Sequence, residues 1–181
     1  MLPHMYDIDP LTLRERITDQ DAFDHELAQL RAAFANGSDV RAQLVPMLRI
    51  AGRLDEAERM GRDYLGQLDP DVSPARAHAA RLRLAHVLQY QGRFDEALTL
   101  FDAVVAATSG SLHAFALQHR GKCLLESGLA QRDTAQLRAA LADLENAHAL
   151  RQALQVADEL IASSSLAVNR VREILQSTSE K

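Results

Sequence analysis

The sequence predicts an all-α chain built as an array of antiparallel helix pairs, and three observations predict it. The string Gly-Arg-x-Asp-Glu-Ala occurs at Gly52–Ala57 and again at Gly92–Ala97, so the copies stand 40 residues apart. A helix–turn–helix unit recurring at a fixed period is the mark of a helical solenoid, in which each unit buries its apolar face on its neighbours. Between the breaks, apolar residues recur at i, i+3, i+4 and i+7, the period of an amphipathic helix. The composition agrees. Alanine is abundant, aromatic residues make up 4% and Trp is absent, which suits closely approaching helices and is poor in the β-branched and aromatic residues that favour strands.

Residues 1–9 read as a loose leader, followed by a short helix over Leu11–Ile17 with Pro10 at its first position. Thr18 is then expected to cap a helix carrying Phe23, Leu27, Leu30 and Phe34, which Asn36-Gly37 ends. Ser38 is expected to cap the next, with Leu44, Val45, Leu48 and Ile50 inward. Pro46 inside it requires a bend or a later start. After Gly52, Leu54–Leu68 is helical and Asp69-Pro70 stops it. Ser73-Pro74 is a start signal for a helix running to Tyr90. Asp95–Ala107, Leu112–Ser127 (closed by Gly128), Asp133 to about Leu154, and Val156–Leu175 complete the set. No Gly or Pro separates the last two. Ser163-Ser164-Ser165 is either a break or a run of small residues at a tight helix contact. Residues 177–181 form a tail, and no segment shows the alternation of a half-buried strand.

Bulk properties exclude several classes. The net charge is −5, against non-specific nucleic-acid binding, which needs an excess of Lys and Arg. Lysine occurs only at 122 and 181, so nearly all positive charge is arginine; coding bias in a GC-rich genome is the expected reason, and selection for bidentate Arg pairing the alternative. The lone Cys123 lies in an apolar run and reads as a small core residue. Met1–Pro10 lacks the basic and apolar segments of a secretory signal, and no run approaches the roughly 18 apolar residues of a membrane helix. A cytoplasmic protein is the expectation.

The pattern resembles the tetratricopeptide (TPR) family. In the unit from His78, Leu84-Ala85 match the large–small pair of helix A, Leu88 the next core position, Gly92 the turn, and Ala97, Phe101 and Val104-Val105 the helix B positions. The unit from Ser38 matches at Leu44, Leu48, Gly52 and Ala57, with Gly61 in place of the aromatic and Val45 in place of the small residue. The third gives Gly121, Leu124 and Gly128, with Ala140, Leu144 and Ala147 after an insertion near 130–137. Leu166-Ala167 suggest a fourth helix A. The resemblance covers roughly 38–175 and implies a right-handed superhelix, with units at 38–70, 74–107 and 111–154 and a C-terminal capping helix at 156–176. One repeat domain is thus expected over 18–176.

The resemblance also implies that helix A faces line a concave, partner-binding groove. Its expected positions here are Arg49, His86, Gln89, Tyr90, Gln118, Lys122 and Glu126, with Asp39 and Arg172 at the ends. A mixed polar face with one aromatic suits a peptide or helix of a protein partner. The family's clamp for C-terminal carboxylates is absent, because its positions hold Ala42, Pro46, Ala79, Leu82 and Gln118. The alternative is a homodimer or other self-association through Leu166, Val171, Ile174 and Leu175, which could equally cap the array. An enzyme is not expected. His78, His86, His113, His119 and His148 include no i, i+4 metal pair, and no phosphate-loop or nucleophile motif is present. Asp55-Glu56 and Asp95-Glu96 suit first turns of helices, where acids complement the dipole. No cofactor, metal, nucleic-acid or membrane partner is expected.

Overall fold

The computed structural model describes residues 5–179; expectations for residues 1–4 and 180–181 lie outside them. The described residues form a two-stranded antiparallel hairpin, β1 (Tyr6–Ile8) and β2 (Glu15–Ile17), and eight helices: α1 (Gln20–Ala35), α2 (Arg41–Ile50), α3 (Leu54–Gly66), α4 (Pro74–Tyr90), α5 (Phe94–Ala107), α6 (Gly110–Gln131), α7 (Thr134–Ala153) and α8 (Asp158–Ser179). The fold is therefore all-helical apart from the hairpin, with consecutive helices packed on one another inside each of two compact units. The first unit comprises Met1–Asp9 with Arg14–Arg93; the second comprises Pro10–Leu13 with Phe94–Lys181. The division between the units falls after Arg93, inside the expected repeat 74–107.

Each Gly-Arg-x-Asp-Glu-Ala string makes the same turn. Gly52 and Gly92 have φ of 73° and 76°, the left-handed region that glycine enters without a Cβ clash. In both, the glycine N–H bonds three residues back (Gly52 to Arg49 O, 3.0 Å; Gly92 to Gln89 O, 2.9 Å). The following arginine N–H bonds five back (Arg53 to Leu48 O, 2.8 Å; Arg93 to Leu88 O, 2.9 Å). This is the Schellman closure of a helix. The acidic pair then lies in the first turn of the next helix, and Ala57 and Ala97 are fully buried.

In the first unit α2 packs on α3 and α4, α3 on α4, and α1 on α2. The core joins Phe23 and Leu27 of α1 to Leu44, Val45, Met47 and Leu48 of α2, Ala57, Val87 and Met5. Arg93 Nη1 grips both oxygens of Glu58 at 2.8 Å. In the second unit α6 packs on α5 and α7, and α7 on α8. Its core gathers Leu125 of α6, Leu137, Ala140 and Leu144 of α7, and Ala167, Val168 and Val171 of α8, with Leu13. Leu166, Ile174 and Leu175 pack against that core, so the apolar face of α8 is used within the unit.

Several local expectations are corrected. Leu11–Ile17 is not helical: a turn over residues 10–12 leads into β2, and β1 lies in the expected leader. Asp19, not Thr18, caps α1, its carboxylate accepting the Ala22 N–H at 2.9 Å. Val40, not Ser38, stands at the cap of the second helix, which begins at Arg41 with Pro46 inside. Gly128 does not close α6, which runs on to Gln131 and ends at Arg132 in the left-handed region. Ser163–Ser165 lie within α8, and buried Ser164 accepts Arg151 Nη1 at 2.7 Å. The expected tail is helical as far as Ser179.

Close helix approach rests on absent side chains. A Cβ on Gly121 would stand 2.8 Å from Leu144 Cγ and 3.1 Å from Ala140 O, so α6 meets α7 where only glycine fits. At Gly66, in the last turn of α3, a Cβ would meet nothing within 4 Å. Gly121→Ala is expected to lower stability by about 1–3 kcal/mol through overpacking, despite the better helix propensity of alanine. Gly66→Ala is expected to raise it, by up to about 1 kcal/mol. Denaturant unfolding of the two variants measures both; equal effects would contradict the α6–α7 approach.

Candidate functional site

Arg49 occupies the last turn of α2, where a cation complements the helix dipole. The residues before it, Leu44, Val45, Met47 and Leu48, are buried, and this packing carries Arg49 inward to 5% exposure. A guanidinium so buried requires an anion. It has one in Glu15 of β2: Nη1 and Nη2 each donate to a different carboxylate oxygen at 2.8 Å. Tyr90, at the C-terminal end of α4, donates its hydroxyl to the same carboxylate, and the Glu15 backbone N–H reaches that hydroxyl at 3.4 Å. The Tyr90 ring also receives two guanidinium groups, with Arg14 Cζ 4.3 Å and Arg49 Cζ 4.4 Å from its centroid, a cation–π arrangement.

These contacts set the charges. Burial pushes the Glu15 carboxyl upward, but the Arg49 hydrogen bonds and charge, the Tyr90 hydroxyl and the charge of His86 outweigh it. The net result lies well below its ordinary 4.5. Burial disfavours the Arg49 cation, and Glu15 more than restores it. Burial also raises the Tyr90 hydroxyl well above 10, the Arg49 charge opposing and Glu15 reinforcing. Near neutral pH the cluster holds a carboxylate, a guanidinium and a neutral phenol.

The expected groove residues fall into separate surroundings. In the first unit Arg49 and Tyr90 meet at Glu15, His86 is half-buried near it, and Gln89 is 3% exposed. In the second unit Lys122 is buried and donates to Leu13 O at 3.1 Å. Gln118, one turn earlier on α6, is 1% exposed, and neither of its amide atoms has a hydrogen-bond partner among the described residues. Glu126 is half-buried. Asp39 pairs with Arg41, and Arg172 with Glu145. Free exposure was expected at Arg49, Gln89, Gln118 and Lys122. It is not found: all four are buried, and Arg49 and Lys122 hold residues of the chain's own N-terminal segment.

Sequence reasoning missed Glu15 and Arg14. Their only signal was weak: the i, i+4 pair Leu13 and Ile17 mimics a helical stripe, and Arg14, Glu15 and Arg16 fall inside the short helix expected over Leu11–Ile17. Among the described residues, no group of three His, Cys, Asp or Glu is placed to hold a metal ion, and no helix is long and apolar enough to cross a membrane. Burial first, and then neighbouring carboxylates, push the Cys123 thiol up to about 12, so it is protonated and a poor nucleophile. Comparison with protein-family models, curated proteins and solved structures finds no match.

The depressed Glu15 pKa has a signed consequence. The contribution of the pair is complete above about pH 4.5, the value of the unfolded side chain, and is lost as pH falls through the lower folded value. Glu15→Gln is expected to lower the unfolding free energy at pH 7 by about 2 kcal/mol and to flatten its fall below pH 4.5. Denaturant titrations at several pH values give both quantities; identical acid slopes for wild type and variant would contradict the assignment.

Proposed function

We propose that this chain is a non-catalytic protein-interaction module that receives a peptide segment of a partner on the helix face carrying Arg49, His86, Gln89 and Tyr90. The observation that carries the reading is Arg49's two-bond grip on Glu15, completed by the Tyr90 hydroxyl. That face already binds a short extended segment, here one from the same chain, with a buried cation, a phenol and a planar ring. Such a set reads an extended polypeptide through one charged side chain and one main-chain group. The duplicated turn supports the TPR resemblance: both strings close one helix and open the next in the same way, with a fully buried alanine at the same place. TPR-like pairing, and the right-handed winding that the resemblance implies, belong to this proposal. The partner is a protein or peptide. Self-association is the weaker reading, because the apolar residues of α8 expected to mediate it pack inside the second unit.

The test is affinity capture from a lysate with the wild-type chain and a His86→Ala/Tyr90→Ala variant whose helicity is checked by circular dichroism. At least one specific interactor is expected to be lost from the variant. Retention of every specific interactor would place the binding surface elsewhere.

A further inference from the structure

The cluster at Arg49 holds Glu15 of β2 through three side-chain hydrogen bonds. β2 spans Glu15–Ile17 and, among the described residues, pairs with β1 alone, also three residues long. A two-stranded hairpin of this length has little stability of its own, so its place is set by what its side chains grasp. In the first unit Met5 enters the core, the Met5 carbonyl accepts the Thr18 N–H at 2.9 Å, and Glu15 meets Arg49 and Tyr90. The hairpin's backbone ladder is internal to it and too short to persist away from the helices.

We propose that β2 is an internal, displaceable occupant of a glutamate-recognition site built by Arg49 and Tyr90, and that the site's external ligand is an extended peptide carrying a glutamate that replaces Glu15. This rests on the reading above and adds what the partner segment must contain. The chemistry restricts the ligand. An incoming segment that left Arg49 without an anion would strand a buried cation, which is strongly unfavourable. A segment with its own carboxylate exchanges one ion pair for another, and the electrostatic terms nearly cancel. Glutamate fits better than aspartate. Tyr90 Oη meets both the Glu15 backbone N–H and its carboxylate, while Arg49 takes both oxygens, and the two methylenes of glutamate set that separation. Because β2 is tethered, it competes at high effective concentration, and the apparent affinity for an outside peptide falls by the fraction of molecules whose site is free. Occupancy in cis is thus a threshold that a partner has to exceed.

The probe is a fluorescein-labelled peptide with the sequence of residues 5–18, titrated by anisotropy into the full chain, alongside a peptide bearing Glu15→Gln. The wild-type chain is expected to bind the glutamate peptide weakly, and the Glu15→Ala chain at least tenfold more tightly. The Glu15→Gln peptide is expected to lose at least tenfold against the same Glu15→Ala chain. If Glu15→Ala proves poorly folded by circular dichroism, the Glu15→Gln chain, which keeps the side-chain volume, takes its place. Hydrogen exchange on the wild-type chain is the second readout: saturating peptide should speed exchange of the amides at 14–18. Equal affinities for wild-type and Glu15-substituted chains, equal affinities for the two peptides, no binding at all, or unchanged protection at 14–18 would each overturn the proposal. Capture of partners in the previous experiment is scored separately. Loss of an interactor with no peptide exchange would keep the binding face and reject the internal occupant.

Discussion

A guanidinium at 5% exposure has to be matched, and the match between Arg49 and Glu15 organises the N-terminal part of the first unit. The helices place Arg49 inside before any partner is considered, because it follows Leu44, Val45, Met47 and Leu48 on a short amphipathic helix. Once it is there, an anion must come to it. The chain supplies Glu15 from a segment whose own strand propensity is slight. The hairpin is held by this pair together with Met5, which enters the same unit's core. Tyr90 joins because α4 packs on α2, and its ring lies within cation–π distance of the same guanidinium.

The scaffold beneath this cluster depends on local geometry that recurs. Two Schellman turns at Gly52 and Gly92 reverse the chain in the same way, and both lead into an acidic first turn and a fully buried alanine. In the second unit the close approach of α6 and α7 at Gly121 plays a comparable steric part. Arg120 bridges the same two helices with two bonds to Asp143, at 2.6 and 2.7 Å. Steric permission at small residues and directional Arg–carboxylate pairs thus divide the labour: the first lets helices approach, the second fixes how they face. The abundance of arginine over lysine, read from the sequence as coding bias, has a structural use in these two-oxygen grips.

What was legible in the sequence was whatever has a period or a turn residue. The seven helices from the Phe23 stripe to Leu141 and Leu144 were recovered because their apolar spacing and their Gly, Pro or Ser boundaries are strong signals. The α7–α8 boundary lacked a glycine because the same closure is made there by Gln155 at φ 52°, with Val156 N–H bonded to Arg151 O at 3.2 Å. Gly128 misled in the opposite sense. It is a packing glycine, where a Cβ would stand 2.9 Å from Leu137 Cδ2, and the turn falls to Arg132. The hairpin was illegible because three-residue strands have no room for alternation and Leu13/Ile17 carry a helical spacing by chance. At the site, sequence reasoning chose Arg49 and Tyr90 from a family position, but could not show that Glu15, 34 residues before Arg49, would lie on them. Long-range pairing of this kind leaves no local pattern.

A double-mutant cycle on Glu15 and Arg49 tests the central claim most directly, with Glu15→Ala, Arg49→Ala and the double variant unfolded in denaturant at pH 7. The account predicts strong non-additivity: each single change strands its buried partner, and the double variant is far less unstable than their sum, with a coupling of about 2–3 kcal/mol. A coupling within about 0.5 kcal/mol of zero would mean that Arg49 does not depend on Glu15, and that β2 is held by something other than the site it fills.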